Sequence, residues 1–441
     1  MRRLLLISAA VLALAGATTT PALARQPAPA PDAPAVRLTD ADRTAVLDAV
    51  RETVKTLYVF PEKRAAILAR LNAGQKAGRY TTESPAAFND AVTRDLADAS
   101  GDGHMYMLYD PARAAAAATA PAEADEAYWR ARAMRENHGL GEMKILPGNV
   151  RYLKVNVFLW AADQSGQAYD DAMRFLKGGD AVIIDLRGNG GGNAFAVNYL
   201  VSHFMKPDTL LLTFMRGSET PSQSRTLATL SAGRMADKPL YVLTDRGCFS
   251  ACEEFAYHVQ QFKLGELIGA KTGGGANNNE FLPVGAGFLI SISVGRPVHA
   301  VSGTNWEGVG IAPDIESAPP EALDIAQQRA LTKLAASPTA TPEARADYIW
   351  ALPAAEAKVR PPVIPAGRLQ AVAGRYGEVQ IAFRDGELWY RRADRPERRL
   401  VPLDDKGLFA IDGATMVRIH VVGDLLELVS RNGPPLPFKR S

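Results

Sequence analysis

The chain has 441 residues, 47% of them hydrophobic, which is enough for two or three domains with sizeable cores. Its 50 Lys and Arg residues nearly balance 48 Asp and Glu residues, so composition gives no electrostatic basis for binding nucleic acid. Two cysteines are too few for the disulfide framework of a small secreted domain.

The first 24 residues are typical of a secretory signal peptide. Arg2 and Arg3 precede an apolar run, and Ala22-Leu23-Ala24 supplies a small-x-small cleavage site. That run is too short to span a bilayer comfortably, and no later segment is long enough. We therefore expect an exported chain, periplasmic or extracellular, that is cleaved near Ala24 and has no membrane span when mature. An uncleaved anchor is the alternative.

The rest of the chain divides by composition and periodicity into six parts. A Pro/Ala-rich, disordered leader precedes a helical domain, an Ala-rich connector with room for one helix, a larger α/β domain, a helical linker and a small antiparallel β domain. Their predicted boundaries are 25–38, 39–110, 111–142, 143–318, 319–366 and 367–441.

The α/β domain is predicted from apolar runs that end at glycine-rich turns. "EMKILPGNVRYLKVNVF", "GGDAVIIDLRGNGGG", "KPLYVLTDRG", "ELIGAKTGGG" and "GFLISISVGRPV" read as strands, and "AYDDAMRFLK" and "AFAVNYLVSHFM" read as helices between them. Strands that alternate with helices predict an α/β layer with parallel pairings.

Ser250 lies where a predicted strand, Leu240–Leu243, ends and a helix begins. Such a turn can expose a nucleophilic hydroxyl beside the free N–H groups of the first helical turn, which can hold an oxyanion. The alternative is a helix cap, because Ser is a preferred N-cap and Glu253 completes a capping box. Cys248 and Cys252 stand where G-x-S-x-G has glycines, so the α/β-hydrolase elbow is disfavoured.

A second predicted strand leads into the glycine cluster of "AVIIDLRGNGGG", residues 181–192. The cluster fails as a nucleotide-binding fingerprint because Asn193 stands at the final small position. Glycines also let backbone N–H groups approach a substrate carbonyl. We expect Asp185 and Arg187 to pair and to fix this turn.

Together these segments resemble the S41 class of serine proteases, the tail-specific or C-terminal processing proteases. The branch resembled contains the interphotoreceptor retinoid-binding protein modules and the tricorn core. The matching strings are "DLRGNGGG", "TDRGCFSACEEFA", "IGAKTGGGAN" and "GTNWEGVGIAPDI", and "GDGHMYM" resembles the end of this branch's helical leader. The resemblance covers roughly residues 40–318 and implies the crotonase/ClpP-like ββα core of these peptidases.

The resemblance also implies a serine peptidase that needs no cofactor or metal. Ser250 would be the nucleophile, His104 the general base, and Glu307 the carboxylate that orients the polar network. The expected oxyanion donors are the backbone N–H groups of Ala251, Gly191 and, as the alternate, Gly190. A hydrogen-bonded histidine between domains is the alternative interpretation of His104, and a turn carboxylate that of Glu307.

Other bases are weaker candidates. Family members that use lysine resemble T-F-G-K-G, whereas residues 272–276 read TGGGA here and Lys271 is out of register. His299 is the second choice, and His258 lies eight residues into the helix after Ser250, so it should point away. Surface or packing positions are expected for the histidines that match no motif, His138, His203 and His420.

Cys248 and Cys252 are expected to be two small, buried thiols. A disulfide would straddle Ser250 and strain a short loop, and a metal pair would need further ligands. A redox lock on Ser250 is the functional hypothesis for these residues.

The expected substrates are peptides or unfolded protein segments. No peptide-docking, PDZ-like module is predicted between residues 105 and 145, which argues against recruitment of tagged C-terminal tails. The alternative function is a catalytically silent binding protein for an apolar ligand on the same fold. The sequence does not indicate an oligomeric state.

Overall fold

The first described segment is helical. The computed structural model describes residues 36–217 and 219–441, so the predicted signal peptide and nearly all of the leader lie outside the described residues. A Thr39–Asp42 capping box begins the first helix, Pro61 begins the second, and the Ser84 side chain caps the third. These helices are α1 (Asp40–Leu57), α2 (Pro61–Lys76) and α3 (Pro85–Ser100).

A five-stranded antiparallel sheet packs on these helices. Its order is β1–β10–β5–β6, with β9 also paired to β10. The apolar faces of α1 and α3 share a core with β10, in which Val50, Phe88 and Phe288 are fully buried. The strands are β1 (Tyr106–Tyr109), β5 (Leu210–Met215), β6 (Ser222–Arg225), β9 (Asn278–Gly285) and β10 (Phe288–His299).

The Ala-rich connector contains two helices, α4 (Pro111–Thr119) and α5 (Pro121–Arg135), where the sequence left room for one. The Asp110 side chain accepts a hydrogen bond from the Arg113 N–H and caps α4. Proline cannot continue a helix but is well suited to the first helical turn, so Pro121 separates the two helices.

A second sheet of six strands has the order β11–β8–β7–β4–β3–β2. All neighbouring pairs are parallel except the β2–β3 hairpin, as the alternation of strands and helices predicts. The strands are β2 (Leu140–Leu146), β3 (Val150–Val155), β4 (Ala181–Asp185), β7 (Leu240–Thr244), β8 (Glu266–Gly269) and β11 (Ile315–Glu316).

Helices cover both faces of this sheet. Ile184 and Val242 pack toward α6 (Ala162–Lys177), α7 (Ala194–Ser202) and α8 (Ala251–Gln261). Ile183 and Tyr241 point the other way, toward α9 (Ala322–Ala335) and α10 (Pro342–Val359). A strand buried on both faces needs apolar residues at every position, which explains the unbroken apolar runs in the sequence.

The last described segment is a short helix, α11 (Ala366–Val372), followed by eight antiparallel strands in sequential order. A bridge between Tyr376 and Arg440 joins the first strand to the end of the last and closes the sheet into a small barrel. Apolar side chains such as Phe409 fill its interior. The strands are β12 (Gly374–Tyr376), β13 (Val379–Arg384), β14 (Glu387–Arg392), β15 (Arg398–Pro402), β16 (Leu408–Ile411), β17 (Val417–Val422), β18 (Leu425–Ser430) and β19 (Leu436–Lys439).

None of the helices in the described ranges is long and apolar enough to cross a membrane.

Candidate active site

Ser250 occupies a sharp turn between β7 and α8. Its backbone has φ 56° and ψ −122°, in the half of dihedral space that side chains rarely adopt. Gly191 lies so close that a Cβ there would be 2.7 Å from the Ser250 Cβ. A strained turn between strand and helix is typical of an exposed nucleophile.

Glu253 holds this turn in place. Its carboxylate is fully buried and accepts hydrogen bonds from the Ser250 N–H at 3.1 Å, the Gly274 N–H at 2.7 Å and the Gly275 N–H at 2.8 Å. Thr272 Oγ1 donates a fourth at 2.5 Å. Burial raises the pKa of Glu253, while the four donors favour the charged form and lower it. Glu253 therefore ties Ser250 to the glycine turn, a wider role than a helix cap.

The two cysteines form a disulfide, so the expectation of free thiols was wrong. The Cα atoms of Cys248 and Cys252 are 5.4 Å apart, within the range that a disulfide spans. We expected a disulfide to strain the short loop around Ser250, but α8 begins at Ala251 and turns the chain so that Cys252 faces Cys248. The bond fastens the residues before Ser250 to the first turn of α8.

The predicted oxyanion donors lie at this turn, and one of them already donates a hydrogen bond within the protein. Ala251 is the first residue of α8, where backbone N–H groups have no partner inside the helix. The Gly191 N–H donates to the Asn189 side-chain oxygen at 2.8 Å. Space around Gly190 is open, since nothing lies within 4 Å of a Cβ built there.

His104 and Glu307 lie together in a pocket with Asp102. One side-chain atom of each of the three lies within 4.8 Å of the others, so they could also share a metal ion. The Asp102 carboxylate accepts from the His104 backbone N–H at 2.9 Å and lies 3.8 Å from the ring nitrogen Nδ1. Glu307 accepts from the Ala276 and Asn277 N–H groups at 2.6 and 3.0 Å.

Electrostatics in this pocket disfavour charge on the histidine and on Glu307. Burial raises the pKa of Glu307 to about 7, and the nearby Asp102 carboxylate adds to the rise. Burial lowers the pKa of His104, whereas the charge of Asp102 acts in the opposite direction. A neutral imidazole of this kind can accept a proton, as a general base must.

The Phe249 ring lies between the two halves of the site. It stacks on the His104 ring with centroids 4.8 Å apart and fills a slot formed by Gly103, Gly273 and Gly275. Both ring nitrogens of His104 are buried without a hydrogen-bond partner, so no hydrogen bond joins His104 to Ser250 in this state.

The alternative bases are placed elsewhere. His299 Nε2 is 3.1 Å from His258 Nδ1, and its Nδ1 accepts from the Val301 N–H, so both of its nitrogens are engaged. His258 is fully buried on α8, and Lys271 is exposed.

Asp185 and Arg187 form the predicted pair, with Arg187 Nε donating to the Asp185 carboxylate at 2.9 Å. Asp102 was not predicted, although "GDGHMYM" was singled out for its histidine. Its carboxylate-x-histidine spacing is the signal that could have identified it. Asn277, which joins Asp102 to Glu307, ends the matching string "IGAKTGGGAN" but was not assigned a role.

Comparison with known proteins adds a family match. The family model of peptidase family S41 matches residues 149–317, which include the four strings of the resemblance but not His104. The chain is 25% identical over 183 residues to the carboxy-terminal processing protease CtpB of Bacillus subtilis, covering 41% of this chain and 36% of the relative. It is 30% identical over 141 residues to the carboxy-terminal-processing protease of Bartonella bacilliformis, covering 32% and 31%. The chain thus spans about a third of the length of these relatives.

Two solved structures are similar over larger parts of the chain. A lipoprotein from Streptococcus agalactiae has a TM-score of 0.47 at 14% identity and covers 67% of this chain and 98% of that chain. A photosystem II D1 C-terminal processing protease has a TM-score of 0.42 at 16% identity and covers 64% and 94%.

Proposed function

We propose that the chain is a serine endopeptidase, from the premise that residues 149–317 match the family model of peptidase family S41. The observation that carries the proposal is the strained backbone of Ser250 at the start of α8, inside the matched residues. Such a turn presents a hydroxyl to a substrate carbonyl and places the Ala251 N–H next to the oxygen that becomes charged.

The proposed reaction is acyl transfer. His104 removes the proton from Ser250 Oγ, and the oxygen attacks the peptide carbonyl carbon to give a tetrahedral oxyanion. His104 then donates that proton to the leaving amine, and the acyl-enzyme forms. Water, deprotonated by the same imidazole, hydrolyses the ester and restores Ser250. Glu307 and Asp102 stabilise the imidazolium that exists between these steps.

The oxyanion hole is proposed to use the Ala251 N–H together with Gly191 or Gly190. Gly191 can take part once its N–H leaves the Asn189 oxygen, whereas Gly190 has open space around it. Two such donors commonly contribute a few kcal/mol each to the transition state.

Catalysis also requires a movement of Phe249 or of the segment that carries His104. The two catalytic groups come from different layers, the histidine from the N-terminal helices and sheet, and the serine from the six-stranded sheet. Catalytic hydrogen bonds are often absent before substrate binds, and a closing motion can complete them.

We also propose that the chain is exported and that it cleaves peptides or unfolded protein segments. The N-terminal pattern of charge, apolar run and small-x-small site supports export to the periplasm or beyond the cell. Residues 106–146 form β1, two helices, a short turn and β2, which supports peptides or unfolded segments as substrates over docked tails. The proposed domain boundaries lie at residues 110, 142, 318 and 366.

A serine-directed fluorophosphonate tests this function. The purified mature chain should be labelled, Ser250→Ala should not be, and His104→Ala and Glu307→Gln should be labelled far more slowly. Ser222→Ala, which removes an exposed hydroxyl in β6, is the matched control and should be labelled like the wild type.

Absence of labelling in a well-folded wild type would count against the enzyme. It would favour the alternative of a binding protein for an apolar ligand, which a fluorescent retinoid or fatty acid titrated into the same preparation would reveal.

A further inference from the structure

The pocket of His104 holds two neighbouring carboxylates, and the Tyr58 hydroxyl and the Asn277 amide group donate hydrogen bonds to that of Asp102 at 3.4 and 3.3 Å. Asp102 and Glu307 contribute two carboxylates, and no Lys or Arg in the described ranges forms an ion pair with either of them. Both donors to Glu307 reach Oε2, so Oε1 has no protein donor among the described residues. Two neighbouring carboxylates without a cation repel each other.

The buried polar atoms of the pocket also lack partners. His104 is 4% exposed and Asn277 is 2% exposed. Neither ring nitrogen of His104 has a hydrogen-bond partner, and neither has the side-chain oxygen of Asn277. Asn277 uses its amide group toward Asp102 at 3.3 Å, which leaves that oxygen as a further acceptor. Buried polar atoms nearly always have a hydrogen-bond partner. These unpartnered atoms, next to two carboxylates, therefore indicate that the pocket can hold a cation.

We propose that Asp102, His104 and Glu307 bind a divalent transition-metal ion of the zinc type, with the Asn277 oxygen beside it. Imidazole and carboxylate are ligands that zinc accepts, whereas calcium and magnesium prefer oxygen ligands alone. We did not predict this site from the sequence, because Asp102 and Glu307 are far apart along the chain.

The ligand geometry needs only a small adjustment. The three ligand atoms lie within 4.8 Å of one another, and Zn–N and Zn–O bonds of about 2.0–2.2 Å allow two ligands on one ion to be at most roughly 4.4 Å apart. The side chain of Glu307 is half-buried and has a free oxygen, so it can supply the shift. Three protein ligands leave one position open to water or to a carbonyl oxygen.

Bound metal would silence the peptidase reversibly. A metal ion on His104 takes the lone pair that must accept the proton of Ser250, so it opposes acyl transfer without touching the nucleophile. This regulatory step rests on the proposed function, whereas metal binding itself does not.

Metal binding is measured on the full mature chain, freed of any affinity tag and of metal. Isothermal titration with Zn²⁺ should give one tight equivalent for wild type and the same for Ser250→Ala, which keeps all three ligands. Asp102→Asn and His104→Ala should lose that equivalent. Asp90→Asn, an exposed aspartate on α3, is the matched control and should keep it.

Three further measurements are controls for the metal site. His420→Ala removes the half-buried His420–Glu427 pair, a second place where an ion could bind weakly, and should not change the tight equivalent. Co²⁺ absorption spectra of wild type and Asp102→Asn report the ligand field directly, and far-ultraviolet circular dichroism shows that each variant is folded.

Four outcomes separate the two proposals. Labelling by fluorophosphonate that falls at least about tenfold with one Zn²⁺ equivalent supports both, by analogy with the usual effect of losing a catalytic base. If the chain is labelled but binds no tight Zn²⁺ equivalent that Asp102→Asn removes, the metal site is overturned and the proposed peptidase stands. Tight binding without any labelling retains the metal site and removes the peptidase, and tight binding that leaves labelling unchanged overturns the regulatory step.

Discussion

At the scale of single residues, Glu253 and Glu254 are adjacent on α8 and have opposite surroundings. Glu253 accepts four hydrogen bonds from Ser250, Thr272, Gly274 and Gly275. Glu254 is also buried, but its Oε1 has no hydrogen-bond partner, and burial raises its pKa to about 8. Glu253 must therefore remain an acceptor, whereas Glu254 is mostly protonated at neutral pH.

Changing each glutamate to glutamine distinguishes these states. Glu253→Gln turns one acceptor oxygen into a donor that faces backbone N–H groups, so we expect a loss of about 2–4 kcal/mol of unfolding free energy and slow labelling of Ser250. Glu254→Gln resembles the protonated acid and should cost less than about 1 kcal/mol. Urea denaturation at pH 7 measures both, and equal losses would contradict the assignment.

The buried pair His258 and His299 predicts a fall in stability in acid. Burial lowers the pKa of each to about 3, below the ordinary value of 6.5. Between pH 6.5 and 3 the unfolded chain binds protons that the folded chain does not, so unfolding becomes easier as pH falls through this window. Glu254, which lies 3.6 Å from His258, has a pKa raised from 4.5 to about 8. Its effect on stability is opposite, because the folded chain gains stability from its proton as pH falls through that window.

His258→Asn should reduce this acid sensitivity. The variant is expected to be less stable than wild type at pH 7, with the difference in melting temperature narrowing steadily as pH falls from 6.5 to 4. Differential scanning calorimetry across that range is the measurement. A constant difference would mean that His258 titrates normally in the folded chain.

At the scale of secondary structure, the buried strands and the helices on either side of them were predictable. The strands "AVIID" and "LYVLT" are buried at every position and are apolar up to their last residue, because both faces of the sheet are covered. The β6 and β9 strands were missed, since their largely half-buried or exposed residues give no clear period, and the short apolar run of β5 was missed as well. The nucleophile was recognisable from its turn, but Asp102 and Asn277 meet only through tertiary packing.

The disulfide between Cys248 and Cys252 was not predicted from the sequence. Sequence spacing of four residues suggested strain at Ser250, whereas the turn into α8 brings the Cα atoms of Cys248 and Cys252 to 5.4 Å. Both side chains are fully buried, so the geometry of the turn, and not solvent access, decides whether they pair.

Closing this five-residue loop should stabilise the fold by about 2 kcal/mol, from the loop-length dependence of chain entropy. Alkylation of the unreduced, denatured chain should find no free thiol, and reductant should lower the unfolding free energy by that amount. The Cys248→Ala/Cys252→Ala double variant should be insensitive to reductant. Alkylation of both cysteines before reduction would refute the bond.

At the scale of the whole molecule, the C-terminal barrel is joined to the rest through α10. The Trp350 Nε1 donates to the Thr415 carbonyl at 3.0 Å, and the Arg418 guanidinium lies 4.1 Å from the Trp350 ring centroid. Arg431 also pairs with Asp347 on the same helix. A few side chains thus connect the barrel to the helical layer over the six-stranded sheet.

Trp350→Ala should loosen the barrel. Losing this half-buried cation–π contact is expected to cost about 1–2 kcal/mol and to speed proteolysis between α10 and α11, at residues 360–365. Trp389→Ala is the matched control, since its ring lies 5.1 Å from Arg384 within the barrel itself. Equal cleavage rates for the two variants would show that the barrel is held by other contacts.

The pocket around His104 is built from residues that are far apart in the sequence, since Asn277 donates to Asp102 across 175 residues. During synthesis or translocation, a chain that emerges from its N-terminus presents His104 long before residues 276, 277 and 307 arrive. Under the proposed function, such an unfinished chain would not cleave neighbouring proteins, since neither His104 nor Ser250 is sufficient for catalysis alone. Proteolytic competence would then appear only with the last large step of folding, which makes activity itself a marker of a finished molecule.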